Sequence, residues 1–166
     1  DKGAKKVYVH AFLDGRDVQP GSALKYIAEI EEYMNEIGLG KIATICGRYY
    51  AMDRDKRWER VELAYNAMVL SKGEEDTSAL DAVKKAMKDN KTDEFVLPTV
   101  IMKNNKPVAA ISNNDTVICF NFRPDRAREL TRAINDKVFD GFKRETLTLN
   151  YVCTTQYDLS IENVDV

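Results

Sequence analysis

The segment Thr116-Val117-Ile118-Cys119-Phe120-Asn121-Phe122-Arg123-Pro124-Asp125-Arg126 is nearly all apolar until it stops at two arginines. A short apolar run ended by a turn reads as a buried strand, and Pro124 with Asp125 suits the first turn of a helix, expected from about residue 124 to 134. The same order of apolar strand, turn and arginine recurs twice. Val7-Tyr8-Val9-His10-Ala11-Phe12-Leu13 leads into Asp14-Gly15-Arg16-Asp17, and Ile42-Ala43-Thr44-Ile45-Cys46 leads into Gly47-Arg48 and on to Arg54. Three strands each deliver arginine to their own exit.

Helical patterns separate these strands. Ser22 is a candidate N-cap for a helix with Leu24, Ile27, Ala28, Ile30, Met34 and Ile37 at three-to-four spacing, stopped by Gly38. Trp58, Val61, Ala64, Tyr65, Met68 and Val69 share a face of a second helix. Ser78 opens a third, with Leu80, Val83 and Met87 inward and Lys84, Lys85 and Lys88 outward. Residues 95–102 and 108–111 flank Lys103-Asn104-Asn105-Lys106-Pro107, which predicts a hairpin connection of about five residues. A last strand is expected over 147–154. Strands alternating with helices imply an α/β fold: a three-layer sandwich with a mostly parallel, mixed sheet and helices on both faces, with residues 1–166 as one domain. In such sheets ligands collect outside the carboxyl ends of strands, so Arg16, Arg48, Arg54, Arg123 and Arg126 are expected around one crevice.

Composition narrows the chemistry. A net charge of -2 and a pI near 5.6 argue against general nucleic-acid or membrane-surface binding, so any anion site is local. Cys46, Cys119 and Cys153 all fall in apolar runs, which predicts buried free thiols in a reducing compartment rather than a disulfide or zinc framework. With no signal-like N-terminus and no 18-residue apolar run, the expected location is the cytoplasm. Lysines spread over helix faces and turns, whereas among the arginines only Arg144 lies outside the strand exits and the helices that follow two of them. Arginine's planar fork binds carboxylate or phosphate through two parallel hydrogen bonds, which a lysine cannot copy. Singly, each arginine is explained by an ion pair with Asp14, Asp17, Asp53, Asp55 or Asp125; three repeats at strand exits favour an anion site. His10 sits within a strand pattern and reads as a core histidine. Tyr49, Tyr50 and Trp58 read as packing. Asp14 and Asp17 lack a nearby third ligand and are a weak metal signal. Asp17, beside Arg16, is either a proton acceptor for a substrate hydroxyl or a simple arginine partner, and spacing leaves both open.

Phe12-Leu13-Asp14-Gly15-Arg16-Asp17 with Pro20, Gly47-Arg48-Tyr49-Tyr50 through Met52-Asp53-Arg54-Asp55-Lys56-Arg57-Trp58, and Asn121-Phe122-Arg123-Pro124-Asp125-Arg126-Ala127 together closely resemble the cofactor-independent (bisphosphoglycerate-independent) phosphoglycerate mutases, over essentially the whole chain. The resemblance implies a two-domain enzyme that interconverts 3-phosphoglycerate and 2-phosphoglycerate through a phosphoserine. An alkaline-phosphatase-like domain carries the serine and two manganese ions, and an inserted phosphotransferase domain holds the glycerate. By the same resemblance this chain is most of the inserted domain. Arg16, Asp17, Arg48, Arg54, Arg123 and Arg126 match substrate-binding positions, and Asp17 matches the acid/base. The nucleophilic serine, the metal ligands, a substrate-binding lysine and a substrate-contacting histidine have no counterpart here, and His10 is not that histidine. The implied partners are the phosphoglycerates and the missing phosphatase-like domain, and the chain alone is expected to be inactive. The rival reading is a non-catalytic module that binds phosphate or carboxylate metabolites.

Overall fold

A computed structural model describes residues 3–166, and in it the apolar runs pair into two sheets rather than one. The first follows the order β1 (Tyr8–Leu13), β2 (Lys41–Gly47), β4 (Thr99–Lys103), β3 (Glu74–Asp76), with β5 (Lys106–Pro107) paired to β4. The second is wholly parallel, in the order β6 (Thr116–Cys119), β7 (Asn150–Cys153), β8 (Val164–Asp165). In the first sheet β1 runs parallel to β2 and β3 parallel to β4, while β4 is antiparallel to β2 and β5. The expected α/β architecture with a mixed, mostly parallel set of strands therefore holds, divided between two sheets.

The helices lie on both faces of the first sheet. α1 (Ala23–Ile37) and α4 (Ala79–Lys88) bury Ile27, Ala79, Ala82 and Val83 against Leu13, Ile45 and Ile101. On the other side, α3 (Trp58–Leu70) and α5 (Arg128–Asn135) bury Val61, Tyr65, Leu130 and Ile134 with Cys46 and with Tyr151 and Cys153 of the second sheet. Each fully buried aliphatic side chain in these layers stabilises by about 1.5–3 kcal/mol. Between β2 and α3 sits a single helical turn, α2 (Arg48–Ala51).

Helix ends show where local signals were read correctly and where they were not. Gly38 ends α1 in the left-handed region at φ 67, with its N–H bonded to Asn35 and Met34 carbonyls. Ser78 Oγ accepts the Asp81 N–H at 3.2 Å, the N-cap that its position predicts. Ser22 occupies the N-cap position of α1, but its hydroxyl makes no cap bond. Asp93, fully buried in a 3-10 turn (Asp93–Phe95) 70 residues away, caps instead: its Oδ2 accepts the Gly21 N–H at 3.0 Å and the Ala23 N–H at 3.1 Å. A charged acceptor at the positive end of a 15-residue helix is the stronger partner.

Five expectations are corrected. The connection of about five residues is a two-residue turn, Asn104-Asn105, with both φ values positive (52 and 58), the geometry in which asparagine replaces glycine at a tight hairpin. Residues 108–111 form no strand. Ile111 N–H bonds the Met68 carbonyl at the end of α3. The Thr116 run is a strand only to Cys119, and alternation decides burial: Val117 and Cys119 pack inward, while Phe120 and Phe122 are 85% and 79% exposed. The following helix begins at Arg128 after a turn in which the Ala127 and Arg128 N–H groups bond the Pro124 carbonyl. Likewise the last strand shortens from 147–154 to Asn150–Cys153.

Candidate functional site

Parallel pairing of β1 with β2 sets Leu13 opposite Gly47, so the two strand exits lie side by side. Asp14 Oδ1 accepts the backbone N–H groups of Arg16 and Asp17, each at 3.1 Å, curling residues 14–17 into a tight loop. That loop faces Arg48, which is 3% exposed and starts α2 immediately after Gly47. Arg48 Nη1 donates to Asp14 Oδ1 at 2.6 Å and to Asp17 Oδ2 at 2.8 Å. Burial opposes the charge on Asp14, but the Arg48 bond, the two loop N–H bonds and the Arg48 charge outweigh it and hold the carboxyl below its usual range.

The second half of the site comes from the loop before α3 and from the exit of β6. Arg54 Nη1 donates to Asp125 Oδ2 at 2.8 Å, and Arg123 Nη2 lies 3.5 Å from the same oxygen. Arg126 Nη1 donates to the Met52 carbonyl at 3.0 Å, which ties the β6 exit to the loop after α2. Arg126 also joins the two halves. Its pKa is held below the usual arginine value by burial and then by the charges of Arg48, Arg54 and Arg16. The exit of β6 is itself fixed from β7's tail. Tyr157 Oη donates to the Asn121 carbonyl at 2.5 Å and the Cys119 carbonyl at 3.0 Å. Thr154 and Thr155 hydroxyls donate to the Asn121 and Phe122 carbonyls at 2.8 and 3.0 Å. Arg16 Nη1 reaches Glu94 Oε1 at 3.3 Å at the rim.

All six candidate residues, Arg16, Asp17, Arg48, Arg54, Arg123 and Arg126, thus stand on three neighbouring strand exits, joined through shared carboxylates and mutual charge. Arg144 does not join them: it bonds the Asp136 and Glu145 carbonyls and lies over the Phe139 ring at 5.0 Å. Asp53 is not a surface partner but a buried acceptor for the Asp55 and Arg57 N–H groups at 2.9 and 3.0 Å. Sequence reasoning missed the holding residues Tyr157, Thr154 and Thr155. Their only signal is a polar hydroxyl cluster directly after a strand.

Other residues are accounted for structurally. His10 Nδ1 bonds Thr44 Oγ1 at 2.9 Å, and burial, opposed by the Asp115 charge, lowers its pKa to about 4. Tyr49 packs edge-on to Tyr50 and against Phe95, both at 5.1 Å, beneath the Arg60 guanidinium at 3.8 Å. Trp58 meets Phe139 edge-on at 5.1 Å. The three cysteines are free. Cys46 and Cys153 are buried, with their thiol pKa values raised chiefly by burial, whereas Cys119 is only half-buried. A concavity of about 420 Å³ lined by Lys41, Lys103, Asn104, Lys106, Pro107 and Val108 lies at the opposite end of the sheet, where antiparallel β4 ends beside the start of β2.

Against this geometry, the family model described as BPG-independent PGAM N-terminus (iPGM_N) matches residues 1–159. The chain belongs to the iPGM_N family. Among its relatives, the 2,3-bisphosphoglycerate-independent phosphoglycerate mutase of Clostridium botulinum (strain ATCC 19397 / Type A) is 70% identical over 166 residues, 100% of this chain and 33% of that protein. The protein of the same name from Clostridium novyi (strain NT) is 70% identical over 164 residues, 99% of this chain and 32% of that protein. A crystal structure of Leishmania mexicana phosphoglycerate mutase at low cobalt concentration superposes with a TM-score of 0.87 at 35% identity, covering 91% of this chain and 29% of that one. This iPGM_N chain therefore spans about a third of the length of the curated relatives it matches. Among the described residues no helix is long and apolar enough to cross a membrane.

Proposed function

We propose that this chain is the substrate-holding part of a phosphoglycerate mutase, and that its arginine crevice clamps 3-phosphoglycerate and 2-phosphoglycerate while the phosphoryl group resides on a serine elsewhere in the protein. The observation that carries the reading is the gathering of Arg16, Arg48, Arg54, Arg123 and Arg126 on adjoining strand exits, where burial and then the charges of Arg48, Arg54 and Arg16 hold Arg126 below its usual range. Like charges brought together cost free energy that a bound anion offsets, and arginine forks suit both ends of a phosphoglycerate. The clamp keeps the glycerate in place and oriented between departure and return of the phosphoryl group. Asp17 takes the proton from the attacking glycerate hydroxyl and returns it in the reverse step. Its carboxylate is more than half exposed on the crevice side of the loop, and one of its oxygens is already oriented by Arg48.

The family resemblance also implies manganese. Among the described residues no group of three histidine, cysteine, aspartate or glutamate side chains is placed to hold a metal, and Asp14 and Asp17 are both engaged by Arg48. The residues here do not fit that ion, so its ligands belong with the serine in the part of the protein this chain does not span, the phosphatase-like domain of this proposal. The chain alone then binds without turning over, in the cytoplasm where glycolysis runs. A non-catalytic metabolite-binding module fits the crevice equally well but not the family match, and is disfavoured.

Asp17→Asn in the full-length protein is the test. The amide keeps shape and hydrogen bonding but accepts no proton, so kcat should fall by about 10²-fold or more with KM little changed. Arg123→Ala should instead raise KM. Near-normal turnover in the Asp17→Asn protein would reduce Asp17 to an arginine partner.

A further inference from the structure

Beneath the crevice, two buried acids grip the loop that carries Arg54. Asp53 holds the backbone of residues 55 and 57 through Oδ2, and its Oδ1 lies 3.6 Å from Arg60 Nη1. From the other side Glu129, in the first turn of α5, accepts the Lys56 N–H through Oε1 at 2.8 Å, where Lys56 stands at φ 57. The remaining Glu129 oxygen, Oε2, is buried and has no partner among the described residues, and the two acids grip successive stretches of one loop, Asp53 the amides of residues 55 and 57 and Glu129 the amide between them.

Two ionised carboxylates do not share a dry site, and a carboxylate oxygen has nothing to donate unless it carries a proton. Asp53 accepts two N–H groups and lies beside Arg60. Glu129 has one N–H bond, faces the acids Asp53 and Asp55, and receives only a backbone group from Lys56. We propose that Glu129 is a positioning residue that carries a proton and donates it from Oε2 to Asp53, clamping the 53–57 loop to α5 and thereby fixing Arg54 in place beside Asp125. Burial first, then the charges of Asp53 and Asp55, hold the Glu129 carboxyl above its usual range against the Lys56 bond. The protonated clamp's contribution is fully present below the unfolded pKa of about 4.3 and is lost as pH rises through the folded value.

The functional weight of the clamp rests on Arg54 being a ligand residue, as proposed above, so two readouts are kept separate. Carboxyl-carbon NMR of the glutamate-labelled 166-residue chain should show a glutamate resonance, identified as Glu129 by its absence from Glu129→Gln, that titrates above the ordinary glutamate value of about 4.3. If the resonance lost in Glu129→Gln titrates at or below the ordinary value of about 4.3 in wild type, the proposal is overturned. In 3-phosphoglycerate titrations, Glu129→Gln, whose amide still accepts from Lys56 and donates to Asp53, should bind within about twofold of wild type. Glu129→Ala should bind about tenfold more weakly, the worth of one charged hydrogen bond. Equal binding by Glu129→Ala, with the proton confirmed, would overturn the positioning role. Absence of any 3-phosphoglycerate response at Arg54 in wild type would count against the ligand reading and leave the proton result to be judged by itself.

Discussion

Gly47→Ala should destabilise the chain by about 3 kcal/mol or more, a fall in Tm of about 6–12 °C at 2–4 °C per kcal/mol for a chain of this size. Gly47 has ordinary extended dihedrals (φ -64, ψ 146), so the expected damage is steric rather than conformational. A Cβ there would stand 2.2 Å from the Glu94 carbonyl oxygen, 2.6 Å from its carbon and 2.8 Å from the Asp93 carbonyl oxygen. Those atoms are backbone and have no rotamer to change. The Gly47 N–H also bonds the Val96 carbonyl at 2.8 Å, so relief by sliding β2 would break that bond. It would also displace Asp93 from the N-terminus of α1 and Arg48 from the crevice. Gly38→Ala is the control: it stands at φ 67 with open space around it, and should cost only about 1–2 kcal/mol of left-handed strain. Thermal denaturation followed by circular dichroism checks both, and equal losses would contradict the close-approach argument.

Arg48→Ala should cost about 2–3 kcal/mol at pH 7 and abolish detectable phosphoglycerate binding. The lower end of the range for broken buried pairs applies because Asp14 and Asp17 are partly open to water and can be solvated once the guanidinium is gone. The loss should depend on pH with a definite sign. Asp14 has a depressed folded pKa, so its contribution is present above the unfolded value of about 3.9 and is lost as pH falls through the folded value. Wild type and variant should therefore converge in stability as pH falls through the folded value and diverge above the unfolded value of about 3.9. Arg48→Lys keeps the charge on a different head group and should recover only part of the stability and less of the binding. Urea denaturation at pH 3 and pH 7 separates these cases, and a pH-independent gap would show that Arg48 acts by packing alone.

What was legible in the sequence followed from local physics. The apolar runs ending at Leu13 and Cys46 marked their strands, Ser78 marked its helix, and arginine at three strand exits marked side chains that the fold brings near one another. The misreadings have physical causes too. β3 is Glu74-Glu75-Asp76, a strand with no apolar periodicity, placed by its parallel ladder with β4. Phe120 and Phe122 look like core in a run of apolar letters, yet the strand ends at Cys119 and both rings stand exposed beyond it. Ser22 has the right residue type for a cap and was displaced by Asp93, whose claim depends on a fold that brings residue 93 to residue 23. Glu129 was unreadable for the same reason, because its partners in the 53–57 loop are 73 residues away and its neighbours in sequence suggest an ordinary exposed face.

The central claim is that three strand exits form one anion site, and amide shift mapping tests it most directly. With 3-phosphoglycerate titrated into the isotope-labelled chain at low salt, amides around Arg16, Arg48, Arg54, Arg123 and Arg126 should move together along one binding curve. Without the rest of the protein the crevice stays wet, so Kd should be roughly millimolar and weaken as salt is raised. Shifts confined to the lysine-lined concavity at Lys41, Lys103 and Lys106, or separate curves for the three loops, would contradict it.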